Sequence, residues 1–300
     1  MKKLEDILES NNIKYNESMK KHTTMKVGGE AKVLVEPTTI AEIKEIIDFA
    51  KENNMKYYII GNGSNLVVAD EGIDGIVIKL ATKFADIKVE GEEIYVTSGV
   101  SMPYTAIVAK NNSLSGFEFA AGIPGTIGGG IKMNAGAYGG ELSDIVKSIT
   151  YLDEDGEIKT ISNSDAKFGY RDSIFKRNSN LVVLSAVFKL KKGDKAEIEK
   201  IMKENNESRR NKQTIEMPNA GSVFKRPVGH YVGPMIIECG MQGYSIGGAE
   251  VSKKHAGFIV NTGNATCKDI IMLIEEIKKK VYDKFQVDLE VEIQFIGGNF

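Results

Sequence analysis

A glycine-rich stretch over residues 122–140 constrains the fold of this chain more than any other feature. It reads GIPGTIGGGIKMNAGAYGG and holds eight glycines in nineteen residues, with mostly small or aliphatic residues between them. Glycine loses much chain entropy on folding, and its missing side chain lets the backbone come into contact with another group. The stretch therefore predicts a loop that something approaches closely. A phosphate-bearing cofactor held by successive backbone N–H groups meets that requirement.

A second glycine cluster, Gly61-Asn62-Gly63-Ser64-Asn65, follows the apolar run Tyr57–Ile60. Two glycine loops at the ends of strands could hold the two ends of one dinucleotide. Neither loop matches a P-loop, which needs Lys-Ser or Lys-Thr after its last glycine, or a Rossmann fingerprint, which needs three spaced glycines and a later acidic residue. Each loop taken alone could also do no more than turn the chain.

The overall composition excludes several functions. The 300 residues suffice for two or three domains, and the formal net charge of −2 leaves no basic excess to neutralise a nucleic-acid backbone. No stretch is apolar for long enough to span a membrane, and the first residues carry acids and bases at helical spacing, unlike a signal peptide. We therefore expect a cytoplasmic protein that binds no nucleic acid and inserts into no membrane.

Metal and disulfide chemistry are not indicated by the sequence. Cys239 and Cys267 lack CxxC spacing and a nearby pair of histidines, so both are predicted to be buried free thiols. The three histidines, His22, His230 and His255, have no recognisable partners for a serine-type triad. We expect a structural or surface role for each histidine and no metal site.

Hydrophobic periodicity divides the chain into three parts. Residues 1–80 predict a small α/β domain built on a β-α-β-β unit, and residues 81–204 predict an α+β domain in which strands dominate. Residues 205–300 predict a third, α/β domain. No internal repeat or low-complexity linker separates them.

Several element boundaries follow from the same patterns. We predict a short amphipathic helix over residues 4–10 and irregular chain at 15–18. A helix capped by Pro37-Thr38-Thr39 is predicted over residues 40–53, with Ile43, Ile46, Ile47 and Ala50 on one face. A long helix is predicted over residues 267–285, and a final strand over residues 289–296.

Two polar groups interrupt apolar or glycine-rich sequence and are candidates for chemistry. Arg171, in the segment Gly169-Tyr170-Arg171-Asp172, could form a bidentate pair with a carboxylate or phosphate, or could simply pair with Asp172 at the surface. Ser222 follows Gly221 and could present its hydroxyl in a tight turn, although a cap or turn role is the commoner use of such a serine.

The last predicted strand carries a third polar group. Glu290, Glu292 and Gln294 alternate with apolar residues and therefore share one face of the strand. Such a face is usually solvated, so a functional glutamate here would have to point into a cleft.

Taken together, the motifs of this chain resemble those of the UDP-N-acetylenolpyruvoylglucosamine reductase family, flavoenzymes of peptidoglycan precursor synthesis. The matching motifs occur in family order over almost the whole chain. They are Thr23-Thr24-Met25-Lys26-Val27-Gly28-Gly29, Gly61-Asn62-Gly63-Ser64-Asn65-Leu66, Ala121-Gly122-Ile123-Pro124-Gly125-Thr126-Ile127-Gly128-Gly129, Asn134-Ala135-Gly136-Ala137-Tyr138-Gly139, Tyr170-Arg171-Asp172-Ser173, Ala220-Gly221-Ser222-Val223-Phe224-Lys225 and Phe295-Ile296-Gly297.

The resemblance implies a fold class and its domains. It implies an α+β chain with a two-part FAD-binding domain of the vanillyl-alcohol-oxidase/PCMH type, over residues 1–80 and 81–204. A C-terminal α/β domain, residues 205–300, would close over the substrate. The short span between residues 170 and 222 resembles the subclass that lacks an inserted substrate loop.

The resemblance also implies the residues of the site. The catalytic residues would be Arg171, Ser222 and Glu292. Non-covalently bound FAD would contact Gly61, Asn62, Gly63, Ser64, Asn65, Leu66, Gly122, Ile123, Pro124, Gly125, Ile127, Gly128, Asn134, Gly136 and Ala137. Weaker candidates for contact with the substrate are Tyr170, Lys176, Lys225 and His255.

The implied reaction is the NADPH-driven, FAD-dependent reduction of the enolpyruvyl UDP sugar to a lactyl ether. Arg171 would stabilise charge on the substrate carboxylate, Glu292 would polarise or orient it, and Ser222 would supply the proton. The match at Glu292 aligns Glu292-Ile293-Gln294 with a family Glu-Val-Arg, so Gln294 departs from the pattern and leaves open how that strand is anchored. The partners would be the UDP sugar and NADPH, and the protein a monomer or a weak oligomer.

Two rival functions remain open at the level of sequence. An FAD oxidase or dehydrogenase of alcohols or hydroxy acids would share the fold, and His22 is the upstream residue that could tether a flavin covalently. A nucleotide-sugar-binding regulatory module without turnover is the other rival. Such a module would not need Arg171, Ser222 and Glu292 together.

Overall fold

The computed structural model describes residues 3–298 and has an α+β fold. Seven α-helices lie in this range, and most begin at the capping signals of the sequence. They are α1 Ile40–Glu52, α2 Met102–Asn111, α3 Ile127–Met133, α4 Ile174–Arg177, α5 Lys195–Lys212, α6 Val232–Glu238 and α7 Cys267–Phe285.

Nineteen strands occur in the same part of the chain, and many contain only two to four residues. They are β1 Ile13–Ser18, β2 Glu30–Val35, β3 Tyr57–Ile60, β4 Leu66–Val68, β5 Ile73–Lys79, β6 Ile87–Glu90, β7 Glu93–Thr97, β8 Leu114–Ser115, β9 Gly136–Ala137, β10 Gly140–Glu141, β11 Val146–Leu152, β12 Ile158–Ser162, β13 Val182–Lys189, β14 Lys191–Lys192, β15 Asn219–Ser222, β16 Ser245–Ile246, β17 Ala249–Val251, β18 Phe258–Asn261 and β19 Gln294–Ile296.

The chain forms two compact units, each made of separate segments. The first unit consists of Met1–Lys14, Leu34–Asn62 and Ile76–Ser208, and the second of Tyr15–Val33, Gly63–Gly75 and Arg209–Phe300. The division into three sequential domains remains a prediction.

The first unit is built around an antiparallel sheet with the strand order β12-β11-β13-β7-β6. Its core contains the fully buried rings of Phe117, Phe175 and Phe188, and helix α3 packs against β13 and β7. Strand β3 pairs in parallel with β5 and ends at Ile60, directly before the first glycine loop. The glycine loops of this unit therefore start from rigid elements.

The second unit has a sheet of order β15-β18-β17-β16, against which α7 packs with six buried residues. Those residues recur at helical spacing: Cys267, Ile270, Leu273, Ile274, Ile277 and Val281. Strand β19 pairs in parallel with β4, so the end of the chain is joined to the segment that follows the first glycine loop.

Helix boundaries agree closely with the sequence patterns. Thr39 caps α1 and Thr266 caps α7, each with a reciprocal capping box formed by an acidic residue three positions on. The helix predicted over residues 267–285 is confirmed at both ends.

Three local predictions are wrong. The segment 4–10 contains a 3-10 turn at Leu4–Asp6 instead of a helix, and β1 occupies the chain predicted to be irregular. The strand predicted over residues 289–296 is reduced to β19, because the chain changes hydrogen-bonding partners before Gln294. The alternation of apolar and polar residues along a strand carries no information about which segment the strand bonds to.

Asp70 adds a second carboxylate to the start of α7. Its two carboxylate oxygens accept hydrogen bonds from the backbone nitrogens of Cys267, at 2.8 Å, and Lys268, at 3.0 Å. Backbone N–H groups in the first turn of a helix have no partner inside the helix, and a negative charge there is favourable.

We expect Asp70→Ala to lower the free energy of unfolding by about 1 kcal/mol, since both N–H groups of α7 lose their acceptor. Urea denaturation followed by circular dichroism measures this change. Asp74→Ala is the matched control, because Asp74 is 91% exposed and only pairs with the exposed Lys32. An equal effect of the two substitutions would contradict the capping role.

Candidate active site

The first two residues of the 61–65 loop, Gly61 and Asn62, meet the glycine-rich stretch within the first unit. The side-chain nitrogen of Asn62 donates a hydrogen bond to the carbonyl of Pro124 at 3.3 Å. A Cβ atom at Gly61 would lie 2.2 Å from Oγ1 of Thr126, so the two segments are in contact only because Gly61 has no side chain. The expectation that both loops serve one ligand is thus consistent with their positions.

Close packing of the chain on itself accounts for further glycines. A Cβ at Gly128 would lie 2.8 Å from Cβ of Ser98, and the N–H of Gly128 donates to the carbonyl of Ser98 at 2.9 Å. A Cβ at Gly130 would meet Leu142 and Met102 at 2.8 Å. Gly129 differs, because its nearest neighbour would be 3.7 Å away, which leaves it open to an approaching group. A bound cofactor was the predicted reason for the glycine-rich stretch, whereas packing of the chain on itself requires several of its glycines.

Asn134 ends α3 in the left-handed conformation, with φ of 42°, and is completely buried. Its side-chain nitrogen donates to Oε1 of Glu141 at 2.9 Å and to the carbonyl of Gly169 at 3.0 Å. Its side-chain oxygen accepts from the backbone nitrogen of Ser143 at 3.0 Å. Since the amide bonds to protein atoms at both ends, Asn134 orders the loop after α3.

That loop positions Arg171. The guanidinium donates to the carbonyl of Gly136 at 2.9 Å and to that of Asn134 at 3.4 Å, and it lies 5.1 Å from the ring centre of Tyr170. Arg171 has φ of 55° and occupies the corner of a tight turn, closed by hydrogen bonds in both directions between Gly169 and Asp172. A positive φ is strained for an arginine, and such strain is common at functional positions.

The surface pairing of Arg171 with Asp172, one of the two sequence alternatives, is not the pairing observed for Asp172. The carboxylate of Asp172 instead pairs with Arg177. Lys176 lies in the same segment, and its ammonium donates to the carbonyl of Arg171 at 3.1 Å. Tyr170, Arg171 and Lys176 are therefore brought together, and Tyr170 is half exposed.

In the second unit, residues 63–66 lead directly into β4. Gly63 has φ of 63°, and a Cβ there would lie 2.2 Å from the carbonyl oxygen of His22. The carbonyl of Gly63 accepts from the N–H of Thr24 at 3.3 Å, and that of Asn65 accepts from the N–H of Gln294 at 2.9 Å. The motif around Thr24 and the first glycine loop thus support each other.

Ser222 is presented by a bulge in β15. Asn219 pairs with Val260 and Ser222 with Phe258, so three steps along one strand oppose two along the other. Gly221, at φ of 79°, takes up the extra residue, and its N–H donates to the Asn219 side chain at 2.9 Å. Bulges redirect side chains and are frequent beside active sites. The half-buried Ser222 hydroxyl forms no hydrogen bond with another residue in the described range 3–298.

Glu292 is joined to the segment that follows Ser222. Its N–H donates to the carbonyl of Val223 at 2.7 Å, and its carbonyl accepts from the Asn65 side chain at 3.3 Å. Gln294, the departure from the family pattern, donates its side-chain N–H to the same Glu292 carbonyl at 2.9 Å. The strand is therefore anchored through the backbone of Glu292, and the structure brings two of the predicted catalytic residues onto adjacent segments.

The remaining substrate candidates also lie in the second unit. The ammonium of Lys225 pairs with Glu290, so it already has a carboxylate partner. His255 packs edge-on against Phe258 with ring centres 4.6 Å apart, next to the pairing position of Ser222. Burial lowers the pKa of His255, which keeps its imidazole neutral at pH 7.

Sequence reasoning missed three residues that hold this arrangement together. Thr126 fills the space above Gly61, while Glu141 and Ser143 hold Asn134. Glu141 could have been found, since it is the acidic residue that directly follows a stretch almost free of charge. Thr126 belongs to one of the matching motifs, but its role was not predicted, because that role depends on a contact between segments far apart in the chain.

The histidine and cysteine environments bear on the rival functions. Nε2 of His22 lies 2.9 Å from Oε1 of Glu17, so the ring of this buried histidine is engaged in a hydrogen bond instead of standing free to tether a flavin. Cys267 is buried, and burial followed by the charges of Asp70 and Glu71 raises its pKa to about 12. Cys239 is only partly buried, so the prediction of two buried thiols holds for Cys267 alone.

No helix within residues 3–298 has the length and apolar character needed to cross a lipid bilayer.

We expect Gly61→Ala to weaken FAD binding about tenfold or more, because its methyl group would push the two loops apart. Thr126→Ala in the same chain removes the colliding Oγ1 and leaves the nearest Thr126 carbon at 3.2 Å, so it should recover part of the loss. FAD affinity is measured by flavin fluorescence during reconstitution of the apoprotein. Gly233→Ala, which meets no atom within 4 Å, is the control. A single Gly61→Ala variant that binds FAD like the unchanged protein would refute the role of this contact.

Comparison with known proteins identifies two matching family models. Residues 31–162 match the model described as an FAD binding domain. Residues 213–296 match the model described as the C-terminal domain of UDP-N-acetylenolpyruvoylglucosamine reductase. The expected α+β fold with an FAD-binding domain followed by a C-terminal domain is confirmed, and FAD is the cofactor that this domain takes.

Complete relatives give the same result. The chain is 47% identical over 295 residues to the UDP-N-acetylenolpyruvoylglucosamine reductase of Caldanaerobacter subterraneus subsp. tengcongensis, which covers 98% of this chain and 97% of the relative. It is 50% identical over 285 residues to the reductase of Lactobacillus acidophilus, with 95% of each chain covered. The crystal structure of the reductase from Thermus caldophilus is 33% identical, matches with a TM-score of 0.81, and covers 94% of this chain and 97% of that one. This chain belongs to the UDP-N-acetylenolpyruvoylglucosamine reductase family.

Proposed function

We propose that this chain reduces the enolpyruvyl UDP sugar, UDP-N-acetylglucosamine enolpyruvate, to UDP-N-acetylmuramate for peptidoglycan precursor synthesis. The observation that carries the proposal is its identity of 46–50% to reductases of that substrate over nearly the full length of both chains. The reaction uses FAD, with NADPH as the hydride donor. Neither rival function accounts for this full-length identity.

Bound FAD supplies a hydride carrier between NADPH and the double bond of the substrate. Contacts to it are proposed for residues 61–66, for Gly122, Ile123, Pro124 and Gly125 together with Ile127 and Gly128, and for Asn134, Gly136 and Ala137. The hydrogen bond from Asn62 to Pro124 and the open position at Gly129 support this proposal. The contact proposed for Asn134 has the least support, because this residue is completely buried, its side-chain amide is bonded to protein atoms, its N–H donates to the carbonyl of Ile131 and its carbonyl accepts from Arg171.

Arg171 is proposed to stabilise the negative charge that develops toward the substrate carboxylate when hydride reaches the vinyl CH2 carbon. Its guanidinium is held by the carbonyls of Asn134 and Gly136 before any substrate arrives. A charge that is oriented in advance stabilises a transition state without reorganisation during the reaction. The strained backbone at Arg171 supports the same role.

Ser222 is proposed to protonate the carbon that bears the ether oxygen, which completes the lactyl ether. A serine hydroxyl is a weak acid, so this transfer requires a strongly basic enolate intermediate, after which solvent restores the proton. Glu292 is proposed to orient the same carboxylate. The hydrogen bond between Glu292 and Val223, the residue next to Ser222, supports a coordinated placement of these two groups.

Substrate contacts are proposed for Tyr170, Lys176, Lys225 and His255. Of these, Tyr170 is half exposed and holds Arg171 by a cation–π contact, while Lys225 would have to share its ammonium with Glu290. A cytoplasmic location and a monomer or weak oligomer belong to the same proposal.

Ser222→Ala tests the proton-donor role. We expect this variant to keep FAD and to be reduced by NADPH at the normal rate. Transfer to the enolpyruvyl substrate should slow about 100-fold or more, since general acid catalysis contributes factors of that size. Anaerobic stopped-flow absorbance of the flavin separates the two half-reactions.

Ser245→Ala is the matched control, because Ser245 is an exposed serine of the same unit in the short strand β16. Both half-reactions should be unchanged in that control. Near-normal reoxidation of the reduced Ser222→Ala variant by the substrate would remove Ser222 from the mechanism.

A further inference from the structure

Thr24 forms hydrogen bonds in two directions within the second unit. Its N–H donates to the carbonyl of Gly63 at 3.3 Å. Its hydroxyl donates to the carbonyl of Asn219 at 2.6 Å, 195 positions further along the chain. Asn219 is the first residue of β15, the strand that ends with Ser222. One threonine therefore joins the first glycine loop to the strand that presents the proposed proton donor.

The segment around Thr24 is held in place without the help of this hydroxyl. Residues 22–29 form no helix or strand, so contacts with distant elements fix their conformation. Met25 is fully buried in the same hydrophobic core as Val223. The side-chain nitrogen of the buried Asn261 donates to the carbonyl of Met25 at 3.1 Å. Packing and this hydrogen bond keep the backbone of Thr24 where it is.

Asn219 carries the contact onward to the bulge. Its side-chain oxygen accepts from the N–H of Gly221 at 2.9 Å. Its side-chain nitrogen donates to the carbonyls of Thr214 and Met217, both at 2.8 Å, so the amide is fixed at both ends. Because Gly221 takes up the extra residue of the bulge, the placement of Asn219 determines where Ser222 is presented.

The same glycine loop is also bonded to the chain after Ser222. The Asn65 side chain donates to the carbonyl of Glu292 at 3.3 Å, and the N–H of Glu292 donates to the carbonyl of Val223 at 2.7 Å. The loop is therefore tied to both sides of Ser222, through Thr24 before it and through Glu292 after it. Small displacements of a reacting group cost rate far out of proportion to their effect on stability.

We propose that Thr24 is a positioning residue of the reaction, whose hydroxyl holds Ser222, through Asn219, in place relative to the first glycine loop. This inference rests on the proposed function for the role of Ser222 as proton donor. Thr24 itself touches neither the substrate nor FAD in this account. Loss of its hydroxyl leaves the segment 22–29 anchored and releases the start of β15, so the effect falls on Ser222.

The first test replaces Thr24 by valine in the FAD-loaded enzyme. This change keeps the shape of the side chain and the N–H that bonds to Gly63, so affinity for FAD and the rate of reduction by NADPH should not change. Reoxidation by the enolpyruvyl UDP sugar, followed by anaerobic stopped-flow absorbance, should slow about tenfold or more. Thr24→Ser keeps a hydroxyl and should restore most of the rate.

A second readout does not depend on turnover. Amide hydrogen exchange of the FAD-loaded enzyme, measured by mass spectrometry without substrate, should be about threefold faster in Thr24→Val for the peptide that contains Gly221 and Ser222. Thr262→Val is the matched control, because Thr262 of the same unit also donates its hydroxyl to a backbone carbonyl, that of Gly248, at 2.9 Å. The control should change neither this exchange nor either half-reaction.

The double variant Thr24→Val with Ser222→Ala separates positioning from a general structural effect. If Thr24 acts through Ser222, the double variant should be reoxidised as slowly as Ser222→Ala alone, because residues that act as one unit have non-additive effects. A further slowing by the full factor seen in Thr24→Val alone would mean that Thr24 acts independently of Ser222, and would overturn the inference.

Unchanged reoxidation or unchanged amide exchange in Thr24→Val would overturn it as well. Failure of the proposed function is seen separately, in the unchanged enzyme. If the enolpyruvyl UDP sugar does not reoxidise its reduced flavin, the proposed substrate is wrong, and the exchange measurement still decides whether the Thr24 hydroxyl holds the bulge.

Discussion

The contact between the 61–65 loop and the glycine-rich stretch is the constraint on which the site depends. Gly61 and Thr126 approach so closely that a single methyl group would separate them, and Asn62 closes the contact with a hydrogen bond to Pro124. Strand β3 leads into the 61–65 loop, and α3 forms the middle of the glycine-rich stretch. Residues 61 and 62 and the glycine-rich stretch are thus held by elements of the first unit before any ligand arrives, which lowers the entropy cost of binding.

The same loop system determines where Arg171 can act. Asn134 ends α3 in a left-handed conformation, and its bonds to Glu141 and Ser143 order the residues whose carbonyls receive the guanidinium. A glycine-rich segment therefore serves two purposes, since its first half meets the 61–65 loop and its second half positions a cation. In the second unit, Gly221 performs a comparable function by taking up the bulge that presents Ser222.

Much of the fold was predictable from local signals. The cap at Thr39 and the helical spacing of apolar residues located α1, and the long helix predicted over residues 267–285 has the bounds of α7. The resemblance to known reductases supplied the cofactor and the reaction, which glycine content alone left open. The candidate catalytic residues could be found because each of them lies in a short polar motif that interrupts an apolar or glycine-rich pattern.

The parts that could not be predicted depend on contacts between distant segments. The need for Gly61 comes from Thr126, and the anchoring of Glu292 comes from Asn65 and from Gln294, which replaces a family arginine. The break in the last strand arises because its two halves bond to different segments, and residue alternation carries no record of that.

The central claim, that this chain passes hydride from NADPH through FAD to an enolpyruvyl UDP sugar, is tested most directly by the visible spectrum of the purified protein under anaerobic conditions. The account predicts a yellow protein that bleaches when NADPH is added and regains its colour when the enolpyruvyl UDP sugar follows. A protein that bleaches but stays colourless after the sugar is added would contradict the proposed substrate. A protein that cannot be loaded with FAD at all would contradict the site built on the two glycine loops.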